Sequence, residues 1–322
     1  MESQETVMSN ESLLQMKRQA DDLRENEKYL DAIPLYEDII KKRTCTLGES
    51  HQETLDTRFM LAHCYYQQND YRKAVPIFQD ISEKLTSTLG ENHRKTLNTR
   101  YFLARYYYNQ NDYQKSIPIF QDISEKLAST WGENHKDALE IRYMLACCYQ
   151  EQKDYQKAIV IFQDVAEKQT STLGENHKDT LNTRHWLARC YYMQKDYQKL
   201  IPILEDLIRK QSSTLEENHE ATLQSRFWLA CCYYDQNQYQ KAMSIFQDVA
   251  EKRNTILGGN HRGTLNARYW LARCYSSQKD YPQTILILED VISKLSLDSG
   301  ENHDLIVRSK KLLMNCHEML NK

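Results

Sequence analysis

The apolar positions of this chain recur with a period of 42 residues. A leucine–alanine pair marks the register at Leu61–Ala62, Leu103–Ala104, Leu145–Ala146, Leu187–Ala188, Leu229–Ala230 and Leu271–Ala272. Tyrosines follow at Tyr65, Tyr107, Tyr149, Tyr191, Tyr233 and Tyr275, and again at Tyr71, Tyr113, Tyr155, Tyr197, Tyr239 and Tyr281. His51, His93, His135, His177, His219, His261 and His303 keep the same spacing and serve as offset zero of each unit. A fixed period in this range is the signature of a repeat array.

Within one period, apolar and aromatic residues at offsets 4, 7–8, 10–11 and 14 follow helical spacing and predict a first helix over about offsets 2–17. A polar turn such as "QNDY" (Gln68–Tyr71) comes next, its aspartate placed to cap a second helix, "YRKAVPIFQDISEKL" (Tyr71–Leu85). The "TLGENH" loop (Thr88–His93) closes the unit, with Gly90 where a helix ends; Glu216 replaces the glycine in one unit. Pro34, Pro76, Pro118 and Pro202 share one offset inside the second helix, which predicts a tolerated bend there. Neither helix can bury its apolar face within one hairpin, so neighbouring hairpins must stack. The register gives seven units, 9–50, 51–92, 93–134, 135–176, 177–218, 219–260 and 261–302, with a flexible N-terminus at 1–8 and a lone capping helix at 303–322. No long linker breaks the register, which predicts one structural domain.

Composition narrows the function. Forty-five acidic residues against 42 basic ones give a formal charge of −3, which argues against a general nucleic-acid or membrane-surface binder. No apolar run approaches the ~18 residues of a membrane span, and the acidic, polar start lacks the form of a secretory signal, so a cytoplasmic location is expected. The nine cysteines include the adjacent pairs Cys147–Cys148 and Cys231–Cys232 but no CxxC, and read as reduced, small apolar residues rather than a zinc or redox site. No cofactor and no metal are expected.

Arg58-x2-Leu61-Ala62-x2-Tyr65 followed by Ala74-x3-Phe78 fits the tetratricopeptide frame W-x2-L-G-x2-Y…A-x3-F, with arginine in the Trp place and alanine in the Gly place. The stretch "LGENHKDTLNTRHWLARCYYMQKDYQKLIPILEDLI" (Leu173–Ile208) closely resembles the 42-residue tetratricopeptide repeats of kinesin light chains, of nephrocystin-type proteins and of sensors with NB-ARC domains. The resemblance covers nearly the whole chain. It implies an all-α, right-handed solenoid of helix hairpins that binds a peptide or protein segment in its concave groove, without catalysis, as a scaffold or adaptor. Two narrower readings are a repeat sensor that changes shape on binding and a kinesin-light-chain-like cargo adaptor. Where those families carry proline after the histidine, this chain has Gln52, Arg94, Lys136, Lys178, Glu220 and Arg262. Where kinesin light chains carry a peptide-holding asparagine at offset 9, it has Met60, Phe102, Met144, Trp186, Trp228 and Trp270.

Three sets of residues are candidates for function. The histidine recurs too regularly for an active site, and copies about 10 Å apart cannot share a metal, so it reads as a structural residue of the loop–helix junction. Arg58, Arg100, Arg142, Arg184, Arg226 and Arg268 recur with Asp80, Asp122, Asp164, Asp206, Asp248 and Asp290, either as an inter-helix ladder or as a row of arginines offered to an acidic partner. The third set lies on the first-helix side that the resemblance assigns to the groove: Phe59, Tyr101, Tyr143, His185, Phe227 and Tyr269 at offset 8, and Arg105, Arg189 and Arg273 at offset 12, beside His63, Cys147 and Cys231. Phe102, Trp186, Trp228 and Trp270 at offset 9 either join that groove as anchors or pack between units.

Overall fold

The computed structural model describes residues 10–215, 217–298 and 304–321. The expected flexible N-terminus at 1–8, Glu216 and His303 lie outside the described residues. Fifteen helices and no strand are present among the described residues. By packing the chain divides into two compact bodies, 1–154 and 155–322. The first body contains α1 (Asn10–Glu25), α2 (Tyr29–Leu47), α3 (Gln52–Gln67), α4 (Tyr71–Leu89), α5 (Arg94–Asn109), α6 (Tyr113–Trp131) and α7 (Lys136–Glu151). The second contains α8 (Tyr155–Leu173), α9 (Lys178–Gln194), α10 (Tyr197–Leu215), α11 (Glu220–Asp235), α12 (Tyr239–Leu257), α13 (Arg262–Ser277), α14 (Tyr281–Asp298) and α15 (Asp304–Leu320). Within each body every helix packs on the next one in the chain, and α15 packs on α14 and touches α13. This is the all-α solenoid of tandem helix hairpins, closed on one face by a single helix.

The repeated loop explains why its residues recur. Gly90, at φ +88°, ends α4 in a conformation that disfavours any residue with a Cβ. Its carbonyl then accepts from the His93 backbone N–H at 3.4 Å and from the Thr96 hydroxyl at 2.9 Å. Thr180 and Thr264 repeat that bond to Gly174 and Gly258. The histidine caps the following helix: His93 Nδ1 accepts from the Lys95 backbone N–H at 3.2 Å, and His51, His135, His177, His219 and His261 do the same. The recurrent histidine is therefore a structural cap. The turn inside each hairpin places Asn69, Asn111, Lys153, Lys195, Asn237 and Lys279 at φ of 58–66°. The Asp70 side chain then accepts from the Lys73 N–H, as the sequence predicts. Pro76 and its equivalents lie within helices that continue to their normal end, each at the cost of one backbone donor.

Packing follows the register. Phe78, Phe120, Phe162 and Phe246 are fully buried, each worth roughly 2–3 kcal/mol of apolar transfer. Small residues stand where the two helices of a hairpin approach: Ala62 and Ala74, Ala104 and Ser116, Ala230 and Ala242 are all at 0% exposure. The buried Ser116 hydroxyl donates to the Ala104 carbonyl at 3.0 Å, so the one polar member of these pairs is satisfied. Eight cysteines are buried and Cys45 is exposed, all as free thiols. Burial pushes the Cys64 and Cys148 thiols up to about 11 and those of Cys232 and Cys274 up to about 12, which makes them poor nucleophiles.

The arginine–aspartate rows form the ladder. Arg58–Asp80 and Arg100–Asp122 are at 2.6 Å, Arg184–Asp206 at 2.8 Å and Arg226–Asp248 at 2.9 Å, and Arg268 pairs with Asp290. A lysine one turn further on, such as Lys84 or Lys210, reaches the same aspartate. Burial opposes the charge on Asp80, Asp206 and Asp290, but these cations outweigh it and hold the three carboxyls below the usual range.

Candidate functional site

The first-helix face has a recurring cavity. In the first body, α5 contributes Leu97, Asn98 and Tyr101, and α7 contributes Glu140, to a cleft of about 460 Å³. In the second body, Leu181, Asn182 and His185 of α9 and Gln224 of α11 line a cleft of the same volume, also about 460 Å³. Both occupy the same register between successive first helices, above the end of the intervening second helix. The linings differ in polarity. Tyr101 donates to Glu140 Oε1 at 2.9 Å in a cleft edged by Arg94 and Asp137, which themselves pair at 3.6 Å. The other cleft is rich in side-chain amides, from Asn182, Gln211 and Gln224.

Offset 8 thus lines clefts at Tyr101 and His185. Phe59 and Tyr143 are half-buried. Phe227 and Tyr269 are buried, at 5% and 6% exposure, with Phe227 set edge-on to Phe246 in the core. These two rings present little surface to a ligand.

Phe102, Trp228 and Trp270 at offset 9 are placed between hairpins. Trp270 stacks on Phe246 of the preceding second helix, with centroids 5.8 Å apart, and meets Phe227 and Tyr234 edge-on. Phe102 repeats the arrangement on Phe78, Phe59 and Tyr66. Trp228 packs on Tyr192 at 4.9 Å, and Trp186 meets His185 edge-on. All four offset-9 rings are half-buried. Sequence spacing does not reveal the placement of Phe102 and Trp270, because their stacking partners lie on the second helix of the preceding unit.

The offset-12 arginines separate clearly from the offset-7 row. Arg105 lies over Tyr66 and Tyr101, Arg189 over Trp186 at 5.0 Å, and Arg273 over Tyr234 and Trp270 at 4.7 and 4.3 Å. Such stacking holds a guanidinium while leaving its N–H edge for a carboxylate. Among the described residues none of these three arginines forms an ion pair, whereas Arg58, Arg100, Arg184, Arg226 and Arg268 of the offset-7 row are each bound to an aspartate.

Burial, with Arg189 second, holds the His185 imidazole below the ordinary histidine range. His63 is lowered in the same way, by burial and then by Arg24 and Arg105. A histidine depressed in the fold binds its proton more readily when unfolded, so stability falls as pH drops below the ordinary value of about 6.5. His185→Tyr, which installs the residue found at Tyr101 and Tyr143, should therefore narrow the difference in thermal midpoint between pH 7.5 and pH 5.5 (conditions chosen to bracket the ordinary value). An unchanged difference would show that His185 does not contribute to acid sensitivity.

Among the described residues no group of three or more His, Cys, Asp or Glu side chains is placed to hold a metal ion. No described helix is long and apolar enough to cross a membrane.

Comparison with known proteins agrees with this architecture. A tetratricopeptide repeat model matches residues 12–84, 137–199 and 179–255, more than half of the chain, and a second such model matches 266–294. No curated protein sequence matches the chain. The nearly identical TPR-like repeats of a Podospora anserina protein assigned as a kinesin light chain align with a TM-score of 0.57 and 26% identity, over 64% of this chain and 98% of that one. The apo form of RapI aligns with a TM-score of 0.71 and 12% identity, over 96% of this chain and 86% of that one. A Pyrococcus horikoshii signal-transduction ATPase with a tetratricopeptide repeat sensor aligns with a TM-score of 0.64 and 13% identity, over 98% of this chain and 50% of that one. The last two show a shared fold. Neither repeat model belongs to a catalytic family, and with its repeats matched over most of the length the chain belongs to the tetratricopeptide repeat family, a protein-interaction fold.

Proposed function

We propose that the protein is a non-enzymatic scaffold or adaptor that binds an acidic peptide or protein segment along its first-helix face, the side expected to be concave. The observation that carries this reading is the contrast between the two arginine rows. Five offset-7 arginines are neutralised by aspartates. Arg105, Arg189 and Arg273 are stacked on rings and have no carboxylate among the described residues. Tyr101 lines a cleft in the first body and His185 one in the second, and Phe59 and Tyr143 share their repeat offset. Trp186 and Trp270 act in this reading as the platform that orients Arg189 and Arg273, and Tyr66 and Tyr101 do the same for Arg105. A Rap protein complexed with competence and sporulation factor shares the fold, with a TM-score of 0.54 and 14% identity over 97% of this chain and 87% of that one. The sensor and kinesin-light-chain-like readings are narrower versions. At the position of the peptide-holding asparagine of kinesin light chains this chain has Met60, Phe102, Met144 and three tryptophans.

Arrays of short acidic, neutral and basic peptides would test this reading. Acidic sequences should be selected, and Arg105→Gln/Arg189→Gln/Arg273→Gln should weaken the best of them at least about tenfold, with a shallower salt dependence. Selection of neutral or basic peptides, or binding unchanged by the triple variant, would defeat it.

A further inference from the structure

The loops ahead of α3, α5, α9 and α11 each supply a second carboxylate to the ion-pair ladder. Glu49 reaches Lys84 at 3.1 Å, Glu91 reaches Lys126 at 2.8 Å, and Glu175 reaches Lys210 at 2.8 Å. Glu217 lies 3.7 Å from Lys252 and 4.0 Å from Arg226. Around Asp80, Asp122 and Asp248 one lysine and one arginine face two carboxylates, and the charge closes; around Asp206 a third cation, Arg209, joins them.

One copy is incomplete. The loop reads "LGGNH" at 257–261, so Gly259 stands where the others have glutamate. Arg268 and Lys294 therefore share Asp290 alone among the described residues. Their exposure records the missing cover. The Lys294 side chain is 31% exposed, against 9–23% for Lys84, Lys126, Lys210 and Lys252. Arg268 is 29% exposed, against 20–25% for its four equivalents Arg58, Arg100, Arg184 and Arg226. Both line a cleft of about 460 Å³ between α12, α13 and α14. The cleft also has uncharged polar groups in Asn254, Thr264 and Tyr275. Its one other carboxylate, Glu251, accepts from Gln247 at 3.0 Å and forms no ion pair with either cation. The change is not confined to one residue. Asn254 occupies the place of Thr44, Thr86 and Thr170, and a Cβ on Gly259 would lie 2.9 Å from its Oδ1.

We propose that this cleft binds a glutamate side chain presented on a glycine–glutamate turn of a partner polypeptide, which takes the place that four other loops fill from within the chain. A carboxylate is the chemistry that a lysine–arginine pair with a single aspartate lacks, and the unbalanced positive charge of that triad favours it over a neutral side chain. The site is separate from the first-helix clefts and uses none of their residues.

The probe is the acetylated, amidated peptide TLGENH, the chain's own loop sequence, titrated into the full-length protein at low salt by calorimetry. It should bind, and TLGQNH should bind at least about tenfold more weakly. Lys294→Gln should weaken TLGENH similarly. Asn254→Thr/Gly259→Glu, which rebuilds the internal carboxylate, should abolish binding; if that variant does not fold, Lys294→Gln decides. The triple variant of Arg105, Arg189 and Arg273 should bind TLGENH as the wild type does, so failure here and failure of the first-helix reading remain distinguishable. Equal binding of TLGQNH, indifference to Lys294→Gln, loss in the triple variant, or competition by inorganic phosphate as strong as by the peptide would each overturn the proposal.

Discussion

Trp270→Ala should destabilise the second body by about 3 kcal/mol, seen as a lower urea midpoint and as faster amide exchange in α12 and α13. The ring joins two hairpins: it stacks on Phe246, meets Phe227 and Tyr234 edge-on, and supports the Arg273 guanidinium at 4.3 Å. Removal forfeits apolar burial and leaves a cavity that neighbouring helices cannot fill without moving. The partial exposure of Trp270 lowers the effect below that of a fully enclosed tryptophan. Phe246→Leu, which installs the residue type found at Leu204 in the equivalent position, should cost less. The two changes together should cost less than their sum, because they remove one shared contact. A midpoint unchanged in Trp270→Ala would place the ring on the surface as a ligand anchor.

The second large effect concerns an arginine in the core. Arg253 occupies a position held by Leu85, Leu127 and Leu295 in other repeats, and its side chain is 3% exposed. It donates to Glu220 Oε1 at 2.5 Å, to Gln224 at 2.8 Å and to the Gly263 carbonyl at 3.3 Å, and lies over the Phe227 ring. Glu220→Gln removes the anion and leaves a buried guanidinium without its counter-charge. A fully buried pair broken this way costs roughly 3–5 kcal/mol; the solvent access of Glu220, 49% exposed, reduces that to about 2. Arg253→Leu removes the charge together with its need for a partner and should be within about 1 kcal/mol of the wild type, or more stable. Urea unfolding of both variants tests the contrast. A larger loss for Arg253→Leu than for Glu220→Gln would mean that the arginine contributes mainly through its contacts with Gln224 and Gly263.

Much of the molecule was legible because each local rule recurs in register. The loop glycine, the capping histidine and the capping aspartate all act within a few residues of their own position, and the first helices begin one residue before the expected offset. The small residues at helix crossings were legible for the same reason: Ala62 faces Ala74 inside one hairpin. The direction of Arg58 was not, because the choice between Asp80 and an outside partner depends on how the second helix rotates. Nor was the place of Trp270, which is decided by Phe246 in a different hairpin. The buried positions of Phe227 and Tyr269, at the same offset as the cleft-lining Tyr101, show that one offset need not have one environment. The isolated Gly259 was visible in the sequence, but its meaning required the distances between Glu217, Lys252 and Arg226.

Within each body a helix rests almost entirely on its immediate neighbours in the chain. The contacts that create the fold are therefore short in sequence separation, and the entropy of closing long loops hardly enters the barrier to folding. Such a chain can begin to order at any hairpin and grow outward, and it can also come apart by degrees, so that a half-melted molecule is a normal intermediate rather than a misfolded one. Tension applied along the chain would then be relieved by releasing one hairpin at a time, with the remaining hairpins still able to hold a ligand.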